Sequence, residues 1–352
     1  GSILAAASLV VDAAGGATLT QATNNTGVIA ARVTSPNAAF RYVDADALSI
    51  GTITPIGSLV PISGVTTNNG LVSVRAPGAL AVDQAVSAGT GDIYLAGGAV
   101  GLVLNAGVSG NQVLFEGGTV SQTAGTVTAN ALGLIGNLGS VSSAQFGADP
   151  STIAGFTTWT RSSGPLTVGT VTVDGAHTAA GANGGVLVFN ANNGSLSIAA
   201  PVTAATSVSL QASGTVNLGA DITAPSLDIT STTAGVTQSA GRIGGTGTVH
   251  VSAAGNVSLA QSGNDAAIVY GDVSNAGASF VYTDSDALAV GNSGISTQGG
   301  LINVEAGAAL NVNAPVQANG GNVRLASGAT LTLGDNVAGN QVLLEGTPVT
   351  QI

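Results

Sequence analysis

"VSLQASGTVNL" occupies residues 208–218. It holds two apolar–polar–apolar triplets, Val208-Ser209-Leu210 and Val216-Asn217-Leu218, joined by small residues. Side chains alternate along a strand, so each triplet reads as a very short strand with one face inward. The Ala-Ser-Gly between them supplies a tight turn. The phrase recurs about every 20 residues. Val72/Val74 leads to Ile93/Leu95 and Val113/Phe115; Leu187/Phe189 leads to Val208/Leu210 and Leu227/Ile229; Ile302/Val304 leads to Val323/Leu325 and Val342/Leu344. A second column holds Leu80/Val82 and Leu102/Leu104, then Leu196/Ile198 and Val216/Leu218, then Leu310/Val312 and Leu331/Leu333. A shorter third column holds Val86 and Val108, Val202 and Ile222, Val316 and Val337. Three strands per coil cannot close a core alone. Stacked coils can, because each strand pairs with its equivalent one coil away. The expectation is an all-β protein, a parallel β-helix of about 16 coils, on the order of 75 Å long at roughly 4.8 Å per coil.

A larger repeat contains the smaller one. Thr/Ser-Gln follows an apolar residue at Gln21, Gln122, Gln238 and Gln351. "SGNQVLFEGGTVSQ" (109–122) returns as "AGNQVLLEGTPVTQ" (338–351), and "YVDADALSIG" (42–51) returns as "YTDSDALAVG" (282–291). The chain therefore reads as one continuous solenoid, 1–352, in three modules of about 115 residues: 1–122, 123–238 and 239–352. A string of three immunoglobulin-like domains suits the long period. The 20-residue subperiod and the lack of linkers and aromatics oppose it. Stretches near 24–46, 136–164 and 255–286 break the rhythm and gather the aromatics, among them Phe146, Phe156 and Trp159. A wider coil or a protruding hairpin accounts for them.

Composition narrows the function. Of 352 residues 7% are charged, against roughly 25% in ordinary domains, and net charge is −11. All six basic residues are Arg and none is Lys, so no basic stripe exists for nucleic acid. Without Cys there are no disulfides, thiolate metal sites or Cys nucleophiles. A hydrophobic fraction of 44% excludes disorder. No apolar run is long enough to span a membrane. The opening residues lack a basic region and do not read as a signal peptide.

Coils of 19–21 residues with the phrasing of residues 208–218, together with the absence of Lys and Cys, resemble filamentous-haemagglutinin-like exoproteins of Gram-negative bacteria. The resemblance covers most of the chain outside the irregular stretches. It implies a right-handed parallel β-helix, export through a partner outer-membrane pore, an extracellular or cell-surface location, and a role in adhesion, cell contact or biofilm. The amino-terminal secretion domain of that family has Asn-Pro motifs. Only "SPN" (35–37) comes near here, without matching, so the chain reads as an interior segment of a longer protein.

Candidate chemistry is sparse. Asp44/Asp46 and Asp284/Asp286 can supply oxygens to Ca²⁺, which needs six to eight, and on a strand both carboxylates of a pair would share one face. The middle module lacks the pair, so a structural role is the stronger reading. No other cofactor is implied. Clustered carboxylates of a glycosidase kind are absent from the sequence pattern, Gly-x-Ser-x-Gly is missing, and a P-loop is impossible without Lys; no enzyme is expected. His177 and His250 read as solvated. Glu116 and Glu345, with Asn111 and Asn340, mark one repeated turn, the Asn either stacking as an amide ladder or taking a left-handed turn conformation. Thr-x-Thr at 170–173 and 330–333 does not recur on successive coils, against an ice-binding array. Tyr42, Trp159 and Tyr282 are the candidate contacts to a glycan or cell-surface receptor. If they are exposed the segment adheres. If they are buried it spaces, or self-associates end to end through open strand edges.

Overall fold

The computed structural model describes residues 4–57, 60–138, 146–148 and 150–352. No helix forms among them; short parallel strands stack as a β-solenoid. Two compact units are distinguished. One is Gly1–Phe156 with Thr170–Ala180, the other Thr157–Gly169 with Gly181–Ile352.

The triplets fold as their alternation dictates. In Leu80–Val82, Leu196–Ile198 and Val216–Leu218 the two apolar ends are buried and the middle residue is partly exposed. In the first unit Val72, Ile93 and Val113 lie in register and continue through Leu132 and Ile153. Leu48, Leu80, Leu102 and Val120 form a second ladder. Val65, Val86, Val108 and Val127 form the third. Backbone groups pair coil to coil, which satisfies donors that a lone triplet would leave open.

The second unit shows something the columns of the sequence do not. The ladder of Leu187, Val208 and Leu227 runs through Val249 and Val269 to Val290 and Val312. The ladder of Leu196 and Val216 runs through Val236, Val257 and Phe280 to Ile302 and Val323. First and second columns thus exchange between the middle and last modules. The module is not a whole number of coils: the 113 residues from Gln238 to Gln351 are five coils of about 20 and a remainder.

The core is broader than its small side chains suggest. Phe40, Tyr42, Phe189, Phe280 and Tyr282 are fully buried, and Trp159 nearly so. They stand in the ladders themselves: Phe40 between Ala17 and Val72, Trp159 beside Phe189. Room comes from small neighbours. A Cβ on Gly271 would lie 3.2 Å from the Phe280 ring and 2.2 Å from the Val251 carbonyl oxygen. The Phe146 side chain lies outside the described residues. Two antiparallel hairpins leave the coils, Thr52–Ile53 with Ile62–Ser63 and Thr170–Val173 with His177–Ala180.

Candidate functional site

The repeated aspartate phrase is the end of a longer one. Residues 19–51 and 259–291 align without a gap at a shift of 240, and Leu19/Leu259, Asn24/Asn264, Tyr42/Tyr282 and Asp44/Asp284 coincide. Each copy builds the same buried polar corner.

In the first, the strand Phe40–Val43 ends and Asp44 turns inward. Its Oδ2 accepts from the Thr26 backbone N–H at 2.9 Å and from the Tyr42 hydroxyl at 2.7 Å. Its Oδ1 accepts from the Asp46 N–H at 3.1 Å. That last bond closes an Asx turn, a side chain standing in for a backbone carbonyl. Thr26 Oγ1 lies 2.8 Å from the Tyr42 hydroxyl. Asn24 pins the other side: its Nδ2 donates to the carbonyls of Leu19 and Val43, and its Oδ1 accepts from the Leu4 N–H.

The second corner repeats this with two changes. Ala266 N–H and the Tyr282 hydroxyl donate to Asp284 Oδ2 at 2.9 and 3.1 Å, and Asp286 N–H donates to Oδ1 at 3.1 Å. Alanine at 266 removes the hydroxyl that Thr26 offers the first corner. Asn264 donates to the carbonyls of Leu259 and Thr283, accepts from Ile243 N–H, and exchanges a pair of amide bonds with Gln238 at 2.8 and 2.9 Å. Burial pushes the Tyr42 and Tyr282 phenols up. Asp284 is pushed up to about 6, by burial first, although the N–H groups of Ala266 and Asp286 pull the other way.

The candidate residues therefore sit differently from their expected places. Asp44 and Asp46 do not share a face, and neither do Asp284 and Asp286. The first of each pair is buried and the second exposed, because the Asx turn reverses the chain between them. An incoming Ca²⁺ would compete with four hydrogen bonds to the Asp44 carboxylate and three to that of Asp284. Tyr42 and Tyr282 are 0% exposed and Trp159 is 2% exposed, so none offers a face to a ligand.

Other polar groups follow the repeat. Asn111 donates to Asp92 and accepts from Asn130, and Asn340 donates to Asn322, giving the amide ladder in both places. Glu116 accepts from the Tyr94 hydroxyl, and Glu345 pairs with Arg324 at 2.7 Å. Burial and Glu116 push the Tyr94 phenol up. Arg75, Pro77, Gly97 and Glu116 line a groove of about 290 Å³ that reaches Asp44. The histidines are not simply solvated. His177 stacks on Tyr94 at 3.8 Å and His250 on Tyr270 at 4.5 Å, the latter with Asp228 Oδ2 3.4 Å from Nδ1.

Asn24 and Asn264 are not singled out by their local sequence, yet both are buried, Asn264 wholly. The signal was present: both stand 20 residues before the aspartate of their copy. No family model matches the chain, and neither does any curated protein or solved structure. No helix of the described residues is long and apolar enough to cross a membrane.

Proposed function

We propose that this chain is a structural, non-catalytic spacer within a secreted bacterial surface protein of the filamentous-haemagglutinin-like kind, exported through a partner outer-membrane pore. One observation carries the reading. The residues best suited to bind something, Tyr42, Tyr282, Asp44 and Asp284, are consumed by two copies of one internal corner. A binding site has no need to be duplicated in the core, whereas a coil-to-coil joint does. Low charge, absent Lys and coil stacking suit an extracellular segment that spans distance, with attachment, cell contact or biofilm formation as the task of the assembly it belongs to.

The test is binding of the purified chain to a glycan array and to intact cells, with and without Ca²⁺, alongside sedimentation at rising concentration. The expected result is no saturable binding. Saturable binding in either condition overturns the spacer reading in favour of an adhesive one. Concentration-dependent growth of the particle without binding identifies a self-associating filament segment.

A further inference from the structure

In the first unit one row of outward positions runs Arg41, Ser73, Tyr94, Leu114, Gly133, Ala154, each in register with the next. Outward positions of a coil ordinarily meet water, yet Tyr94 and Leu114 are fully buried and Ala154 nearly so. The cover is the hairpin Thr170–Ala180. Its strands alternate as a ribbon lying on a surface: Val171, Val173 and Ala179 face down, Thr170, Thr172, Thr178 and Ala180 face water. The buried three pack with Tyr94, Ala96, Leu114 and Ala154. His177 lies flat on Tyr94, 13° from parallel. At the tip Asp174 accepts from Arg41 Nη2 at 2.6 Å and from Nε at 3.2 Å. Gly133 leaves the seat open, since a Cβ there would come within 3.1 Å of Val171 and 3.3 Å of Ala179. The hairpin thus runs along the stacking direction. From Ala154 to Arg41 is five strand spacings, roughly 24 Å; an arm of about five residues covers roughly 17 Å, and the Arg41 side chain spans the rest.

The site of insertion recurs. Gly51 and Gly64 bracket residues 52–63, Gly169 and Gly181 bracket 170–180, and Gly291 and Gly294 bracket only 292–293. In the first two, the second glycine's N–H donates to the first glycine's carbonyl at 2.9 and 2.8 Å, so the ends of each hairpin already meet. The third copy closes its coil with no hairpin. Farther along the last module, Asn303 and Arg324 stand in the places of Ser73 and Tyr94, and Arg324 bonds Asn303, Glu305 and Glu345.

We propose that the hairpin Thr170–Ala180 is an axial clamp. A solenoid is held by nearest-neighbour contacts, so it opens coil by coil. An element fastened at once to Arg41, Tyr94, Leu114 and Ala154 adds contacts that skip coils. The strands beneath it must then open together.

The experiment replaces residues 170–180 by Asn-Ser, the pair that closes the third copy. Native-state hydrogen exchange is read strand by strand in the full chain. Exchange in Ile93–Gly97 and Gln112–Gln122 rises by about tenfold or more, while Val323–Ser327 stays at its original rate as the internal reference. Asp174→Ala/His177→Ala, which keeps the hairpin but removes both latches, gives a smaller rise in the same strands and decides the matter if the excised chain does not fold. Unchanged exchange beneath the hairpin in the folded variant, or a rise spread equally over Val323–Ser327, overturns the clamp.

Discussion

Asn264→Ala tests whether the repeated corner is a joint. Asn264 is 0% exposed and makes five bonds: three donated, to Leu259 O, Thr283 O and Gln238 Oε1, and two accepted, from Ile243 N–H and Gln238 Nε2. Alanine leaves a buried N–H, two buried carbonyls and an amide without it. Each orphaned buried group costs about 1–3 kcal/mol. Gln238 keeps its bond to the Gly241 carbonyl, and a water can enter a polar space the size of a carboxamide. The net loss is then about 3–5 kcal/mol, against roughly 2–3 kcal/mol for Asn24→Ala, which removes three bonds. A repeat array need not unfold in one step. The loss is therefore read locally, as faster hydrogen exchange in Ile243–Gly244 and Phe280–Asp284. Asn264→Asp keeps the acceptor for Ile243 but turns a carboxylate toward three oxygens, so it is expected to cost as much or more at neutral pH and less in acid. A loss under about 1 kcal/mol in Asn264→Ala would refute the reasoning.

Other outcomes follow from the same contacts. Asp284 holds its proton more tightly folded than unfolded, so its contribution is complete below the ordinary carboxyl value of 3.8 and is lost as pH rises through about 6. At most about 3 kcal/mol is at stake; urea unfolding of the second unit at pH 4 and pH 7 measures it, and Asp284→Asn flattens the slope. Thr26→Ala gives the first corner the partner set of the second and costs about 1 kcal/mol, seen as a shifted urea midpoint at constant slope. Tyr42→Phe costs more than Tyr282→Phe by a similar amount, because Tyr42 has Thr26 as well as an aspartate; chemical denaturation of the two variants side by side gives the difference. Gly133→Val lifts the hairpin from its seat and exposes Tyr94, which iodide quenching of tyrosine emission reports.

The coil was legible because alternation at Val72/Val74, Ile93/Leu95 and Val113/Phe115 states both the strand and its inward face. The buried corner was half legible. "YVDADALSIG" stood out, but nothing local sets Asn24 apart, and only alignment with its copy at 264 does. The faces of the aspartates were misread because period-two alternation holds only on a strand, and at Asp44 the chain has already turned. A wider coil for the aromatics was legible, but not the glycine that makes room, Gly271 for Phe280, because it stands on the neighbouring strand of the coil with no pattern linking the two. The hairpin over Tyr94 was beyond reach, since Arg41 and Asp174 are joined by no periodicity at all.

The exchange of columns between modules has a consequence for how such a chain grows. Strand pairing demands only that each coil meet the next, and a module that is five coils and a fraction meets that demand at either end. Duplicating or losing one module by recombination leaves every ladder paired. It also swings everything downstream to another side of the stack, as leaves set at a fixed angle wind around a stem. A hairpin at the glycine-bracketed corner would then point in a new direction in each copy. Gene duplication alone, with no substitution, redistributes whatever the surface carries around its circumference.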